Sequence, residues 1–171
     1  VCRGRVRSMS VEVGDDAPRF SLPMSQGRAY NDIEEFSLAE ALSEGPVVLV
    51  FFPAAFTSGC TDELCAFTEG LEAFERLDAQ VYGVSVDLSF SQNEFIIKED
   101  LDVPLLSDHA HEVTHAYDVV LPDMYGHFEV SQRAVFVVDE GGVVRHRWVR
   151  GDENPDFSGL VDDLTEVVKA L

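Results

Sequence analysis

Cys60 lies seven residues after Pro53 and three after Thr57, at the end of Val47-Val48-Leu49-Val50-Phe51-Phe52-Pro53-Ala54-Ala55-Phe56-Thr57-Ser58-Gly59-Cys60. The apolar start of this run has the length of a strand. A short turn bearing Pro53 and Gly59 follows, and the sulfur falls where the next helix should begin. Backbone N–H groups in a first helical turn lack partners within the helix and favour negative charge, so a thiol placed among them ionises more readily. A thiolate so placed points to redox or nucleophilic chemistry. A second cysteine, Cys65, follows five positions later.

Helical geometry separates the two sulfurs. At about 100° per residue, Cys60 shares a face with Leu64, Phe67 and Leu71 and is expected to look toward the sheet, while Cys65 lies about 140° around the helix. Their Cα atoms would stand about 8–9 Å apart, and a disulfide needs roughly 7 Å or less. Bonding therefore requires the first turns to unwind. Two states are expected: a folded reduced site and a locally melted oxidised one.

Asp62 and Glu63 oppose negative charge on the sulfur, so a cation should stand nearby. The chain's two lysines, Lys98 and Lys169, fall in amphipathic helical patterns. Arg133, just before the apolar run Ala134–Asp139, is the best-placed candidate.

The elements that must hold these residues follow from pattern. Residues 13–36 are rich in turn formers and read as an N-terminal extension with a hairpin over one sheet edge. Val47–Phe52 lacks alternation, as a strand buried on both faces does. The helical stripe Leu64, Phe67, Leu71, Phe74 runs to about Asp78. A second buried strand is expected at Gln80–Asp87, a helix at Ser89–Asp100 with Phe90, Phe95 and Ile97 as its apolar side chains, a short strand at Pro104–Leu106 and a short helix at His111–Tyr117. Ala134–Asp139 and Val143–Val149 flank Glu140-Gly141-Gly142 as a hairpin. A last helix begins near Ser158. This is an α/β order, with a right-handed parallel strand-helix-strand unit and a ligand site beyond the strand ends, where Cys60 sits.

The chain has 171 residues, enough for one domain with a real core, and 46% of them are hydrophobic. With 32 acids against 12 bases, its surface repels nucleic acid and anionic membrane, and neither is an expected partner. Three cysteines do not make a disulfide framework in a chain of this size. Reactive thiols in a reducing compartment fit better, so a cytoplasmic location is expected. Residues 1–10 are basic, have no apolar core of a secretory signal, and are expected to be a disordered tail containing Cys2, with Met9 as a candidate start. The remaining 11–171 would be the folded domain. His111 and His115 have chelating i, i+4 spacing, but only Asp108 and Glu112 stand near them, so solvated histidines are the expected reading.

Pro53-x-x-x-Thr57-x-x-Cys60 resembles the active-site signature of the peroxiredoxins. Gly83-Val84-Ser85-Val86-Asp87, Pro104-Leu105-Leu106-Ser107-Asp108 and Arg133-Ala134-Val135-Phe136-Val137-Val138-Asp139 are also similar to stretches of that family, in the same order. The likeness runs from about Val11 to Leu171. Cys65 stands at the resolving position of the peroxiredoxin Q, or bacterioferritin comigratory protein, branch. Ala54-Ala55-Phe56-Thr57 resembles the one-cysteine alkyl hydroperoxidase E branch. Ser58 replaces a proline found in many Q-type members.

The resemblance implies a thioredoxin-like fold with a central mixed sheet flanked by helices and an N-terminal β-hairpin extension. It implies a thiol peroxidase acting on hydrogen peroxide and organic hydroperoxides. Cys60 would be the peroxidatic thiolate, Thr57 would hold the peroxide, and the N–H groups of Gly59 and Cys60 would stabilise charge on the leaving oxygen. Arg133 would stabilise the thiolate, Glu63 would orient Arg133, and Pro53 would shield the sulfur. Cys65 would condense with the Cys60 sulfenic acid, and thioredoxin or a similar dithiol would reduce the product. No metal and no organic cofactor is implied, and monomer and homodimer both remain open. The alternative is a one-cysteine peroxidase without the internal disulfide. A thiol–disulfide oxidoreductase of the usual kind would need Cys-x-x-Cys, which is absent, and a metallochaperone would need both sulfurs on one face.

The acidic, lysine-poor composition is also that of proteins adapted to concentrated salt. If self-repulsion limits stability, the melting midpoint rises from low to molar salt as the charges are screened. A flat or falling midpoint excludes that reading.

Overall fold

The computed structural model describes residues 10–171. The expectations for Cys2, Met9 and most of the N-terminal tail fall on residues 1–9, outside the described residues. Nine strands and five helices are described: β1 (Ser21–Ser25), β2 (Ile33–Ser37), α1 (Leu38–Leu42), β3 (Val47–Phe51), α2 (Ser58–Glu75), β4 (Gln80–Ser85), α3 (Ser89–Glu99), β5 (Leu105–Ser107), α4 (Glu112–Ala116), β6 (Val120–Met124), β7 (His127–Ser131), β8 (Ala134–Val138), β9 (Val144–Val149) and α5 (Phe157–Lys169).

Seven strands form one mixed sheet in the order β2-β1-β5-β4-β3-β8-β9. β3, β4 and β5 are parallel, joined through α2 and α3. β8 runs antiparallel to β3, and β9 antiparallel to β8. The hairpin β1–β2 adds to the sheet through β1 against β5, the edge extension expected from residues 13–36.

All five residues of β3 are buried, which explains their lack of alternation. Val47, Leu49 and Phe51 point into one core layer with Leu38, Leu42, Val113, Tyr117 and Phe136. Val48 and Val50 point into the other, against Phe67 and Phe74 of α2 and Leu160 and Leu164 of α5. A third cluster, Phe52, Cys60, Leu64, Phe95, Ile96, Leu101 and Leu105, joins the start of α2 to α3 and β5. Gly83 makes this approach possible: a Cβ there would stand 2.5 Å from Leu105 Cδ2 and 3.3 Å from Leu64 Cδ2. α2 thus lies directly on the centre of the sheet and carries Cys60 to the carboxyl end of β3.

Two local expectations are corrected, and two elements give no signal in the sequence. In α3 the buried face is Gln92, Asn93, Phe95 and Ile96, whereas Phe90 and Ile97 are 57% and 46% exposed. This helix buries two amides because they bond across to neighbouring segments: Gln92 reaches Leu106 C=O, and Asn93 meets Gly27 N–H and Ala29 C=O. β5 is one residue later than Pro104–Leu106. The single turn α1 went unread because five residues show no helical period. The hairpin β6–β7 was also unread: Pro122 and its mostly exposed residues mask alternation. Its turn uses Tyr125 (φ 54°) and Gly126 (φ 84°), a left-handed pair without the Asn-Gly or Asp-Gly cue.

Phe136 occupies the middle of β8, fully buried, with ring centroids 5.0 Å from Tyr117 and 5.7 Å from Phe51. Phe136→Ala is expected to lower unfolding free energy by about 3–5 kcal/mol in urea titration. A loss under about 1 kcal/mol would show that this layer collapses around the cavity.

Candidate active site

The segment 52–57 leaves β3 along the ladder, with Phe52 N–H donating to Val84 C=O at 3.0 Å. It then breaks away from the sheet at Pro53, which is buried and has no N–H to leave unpaired. Phe56 is left-handed at φ 62°, a conformation costing a bulky residue about 1–3 kcal/mol. Its ring rests on Phe95 at 4.9 Å, with Lys98 Nζ 5.4 Å from the ring centre. The turn ends at Thr57, the residue preceding α2.

Thr57 has the extended backbone of an N-cap, but its hydroxyl does not cap the helix. It donates instead to Ala54 C=O at 3.2 Å. The expected pair of N–H donors needs correction too, because Cys60 N–H is engaged by Thr57 C=O at 3.1 Å in a tight first turn.

Cys60 is 1% exposed and faces the sheet as the helical stripe implied. Arg133, 6% exposed, comes from the residue before β8 and donates from Nη2 to Cys60 Sγ at 3.4 Å. Through Nη1 it forms an ion pair with Glu63, which is fully buried. Cys60 and Glu63 are three residues apart, so one face of α2 presents both to the same guanidinium. Gly59 provides the room, since a Cβ there would stand 3.2 Å from Arg133 Nη2 and 3.2 Å from Asn154 Nδ2. The guanidinium also lies over the ring of Phe157, 5.4 Å from its centre.

Burial disfavours the charged form of Arg133, but Glu63 and Cys60 outweigh it, and its pKa moves up. Burial pushes Glu63 from 4.5 to about 8, against the charge and hydrogen bond of Arg133. Held by Glu63 on one nitrogen, the guanidinium presents another to the Cys60 sulfur.

Cys65 points elsewhere. It is partly exposed, unbonded, and lines an open depression with Asp62, Glu69, Asn154 and Phe157. Burial, then Glu99, Asp62 and Glu69, push its thiol pKa upward. Cys65 is thus held as a thiol where Cys60 faces a cation. α2 is continuous from Ser58 through both cysteines, so the wound helix keeps the two sulfurs on different faces.

The structure brings Cys60, Glu63 and Arg133 together with Gly59 beside the guanidinium, places Pro53 and Thr57 in the turn before α2, and leaves Cys65 on another face of the helix. Asn154 and Phe157 went unread, and nothing in their local sequence marks them. His111 and His115 both turn to one residue, His111 Nδ1 to Glu129 C=O at 2.8 Å and His115 Nε2 to Glu129 Oε1 at 3.3 Å. They fasten α4 to β7.

Known proteins resemble this chain over most of its length. Residues 13–147 match the AhpC/TSA family. The chloroplastic 2-cysteine peroxiredoxin of Chattonella marina var. antiqua is 31% identical over 170 residues, covering 95% of this chain and 82% of its own length. The chloroplastic peroxiredoxin Q of Oryza sativa subsp. japonica is 36% identical over 144 residues, 84% of this chain and 62% of that one. The crystal structure of peroxidoxin BcpB from Mycobacterium tuberculosis superposes with a TM-score of 0.80 at 29% identity, covering 94% of this chain and 98% of that one.

The raised carboxyl pKa has a stability consequence. Between 4.5 and about 8 the folded protein keeps a proton on Glu63 that the unfolded chain has lost. The contribution of Glu63 to stability therefore falls as pH rises through that window and is level outside it. Glu63→Gln removes this dependence. The melting midpoint of Glu63→Gln minus that of the wild type is expected to increase from about pH 4.5 to about pH 8. A difference independent of pH would show that Arg133 keeps the carboxylate ionised throughout.

Proposed function

The chain belongs to the AhpC/TSA family and is a thiol-dependent peroxidase of thioredoxin-like fold, and we propose that Cys60 is the sulfur that meets the peroxide, with Cys65 completing a two-cysteine cycle. The observation that carries this reading is the buried Arg133 donating to Cys60 Sγ at 3.4 Å.

In the first step the Cys60 thiolate attacks the nearer peroxide oxygen. The S–O bond forms as the O–O bond breaks, sulfur is oxidised to sulfenic acid, and the departing oxygen takes a proton to leave as water or an alcohol. Arg133 holds the negative charge on sulfur and then on the breaking O–O bond. The Thr57 hydroxyl has its proton committed to Ala54 C=O, which leaves its oxygen to accept a hydrogen bond from the peroxide. Gly59 N–H is the backbone donor assigned to the leaving oxygen. Pro53 keeps water off the sulfur, and Glu63 fixes the angle of the guanidinium.

In the second step the first turns of α2 unwind and the Cys65 thiol attacks the sulfenic sulfur. An S–S bond forms, and the hydroxyl leaves with the thiol proton as water. A thioredoxin-type dithiol then exchanges with the disulfide, is itself oxidised, and returns both cysteines to thiols. Cys65, free and five residues after Cys60 on the same helix, is the sulfur available for this step among the described residues.

Peroxide consumption coupled to thioredoxin and its reductase tests the scheme. Cys60→Ser is expected to lose turnover, by at least about a thousandfold. Cys65→Ser is expected to complete one turnover and stall until a small thiol is added. In the wild type, one equivalent of hydrogen peroxide should remove two hydrogens from the mass of the Cys60–Cys65 peptide. A Cys65→Ser protein that cycles normally with thioredoxin would replace the scheme with a one-cysteine mechanism.

A further inference from the structure

The loop carrying Phe56 in a left-handed conformation needs an external hold, and the structure supplies it from the residues just after β4. Ala55 N–H donates to Asp87 Oδ2 at 2.9 Å, across 32 residues of sequence. The same oxygen accepts the Ser85 hydroxyl at 2.7 Å. Ser85 is fully buried and in turn receives Gln92 Nε2 at 2.9 Å, while Gln92 also donates to Leu106 C=O at 2.8 Å. The main chain of Asp87 is pinned as well, its carbonyl accepting the Ser107 hydroxyl at 2.6 Å. The carboxylate is thus fixed from below by a buried polar network at the ends of β4 and β5. What it holds is the turn that sets Phe56, Thr57 and the first turn of α2.

We propose that Asp87 is a positioning residue that biases the start of α2 toward its wound form, and so governs how fast Cys60 reacts with peroxide and how readily it then pairs with Cys65. This rests on the two-cysteine reading above. A charge-assisted hydrogen bond to a loop N–H stabilises the one conformation that presents it. The wound form keeps Phe56 in its costly left-handed conformation and Cys60 under Arg133. The unwound form needed for the disulfide releases that strain, and with it the geometry that the Asp87 bond holds. Removing the carboxylate therefore slows the peroxide step and favours unwinding. Unwinding also withdraws the sulfenic acid from a second peroxide, whose attack would add one oxygen to give the sulfinic acid and release water or an alcohol.

The test treats the full chain, wild type and variants, with hydrogen peroxide over a concentration series and quantifies sulfenic, disulfide and sulfinic forms of the Cys60 peptide by mass spectrometry. Asp87→Ala is expected to slow sulfenic acid formation about tenfold and to raise about tenfold the peroxide concentration giving equal disulfide and sulfinic products. Asp87→Asn retains an acceptor oxygen and is expected to stay within about threefold of the wild type on both readings. A residue that only supports the fold would lower the melting midpoint without shifting the product ratio, so a wild-type ratio in Asp87→Ala overturns the proposal. If Asp87→Ala does not fold, Ser85→Ala decides: it keeps the carboxylate but removes the hydroxyl that steers it. A shift in the same direction supports the assignment, and an unchanged ratio overturns it. A wild type that forms no Cys60–Cys65 bond defeats the underlying two-cysteine reading, and the proposal falls with it. That result is distinct from a normal wild type with unresponsive variants.

Discussion

A guanidinium taken out of water must be answered by negative charge or by hydrogen-bond acceptors, and Arg133 meets both demands on one face of one helix. Glu63 and Cys60 present themselves to it together, and the Phe157 ring lies against it. A buried charge with one partner removed typically costs several kcal/mol, about 3–5. This triad is therefore a folding constraint as well as a chemical device. The register of α2, its closeness to the sheet at Gly83, the absence of a side chain at Gly59 and the position of β8 beside β3 must all be correct for the three groups to meet.

The division of charge within the triad suits its work. One cation faces two groups that can be anions, and burial raises the carboxyl against the pull of Arg133. Glu63 holds one nitrogen of the guanidinium, which leaves another to donate to Cys60 Sγ. Cys65 sits in the opposite setting, partly exposed among Asp62, Glu69 and Glu99, which discourage a thiolate. Two cysteines five residues apart on one helix are thus made chemically unlike by the sides of the helix they occupy. The same regular helix that distinguishes them also keeps them apart, so resolution must proceed through local unwinding. The hold of the neighbouring loop on the first turn then becomes a control on the cycle.

Much of this was legible before any fold was known, because it is local. The spacing of Pro53, Thr57 and Cys60, the strand that precedes them and the helical stripe that follows all lie within about thirty residues. Short-range periodicity reports such things reliably. The role of Glu63 came only through the family resemblance, since acids are common in first turns and nothing local says that this one is buried. The segments that escaped reading share a physical character. α1 is too short to show a period, and the polar hairpin β6–β7 packs too little surface to impose one. In α3 the buried face includes amides whose partners lie on other elements, so of the apolar side chains Phe90, Phe95 and Ile97 only Phe95 marks it.

From the chain alone came a strand-turn-helix that delivers a sulfur to a helix start, an α/β order, and the incompatibility of a Cys60–Cys65 bond with a regular helix. These depend on bond geometry and on the 2.0 and 3.6 residue periods, which any short segment carries within itself. Tertiary structure alone decided that Arg133, 73 residues away, reaches the sulfur, that Phe157 and Asn154 complete its surroundings, and that Asp87 secures the loop. Such contacts are set by where the sheet places its strand ends and by which groups burial leaves without water. Those quantities belong to the packed molecule and to no single stretch of it.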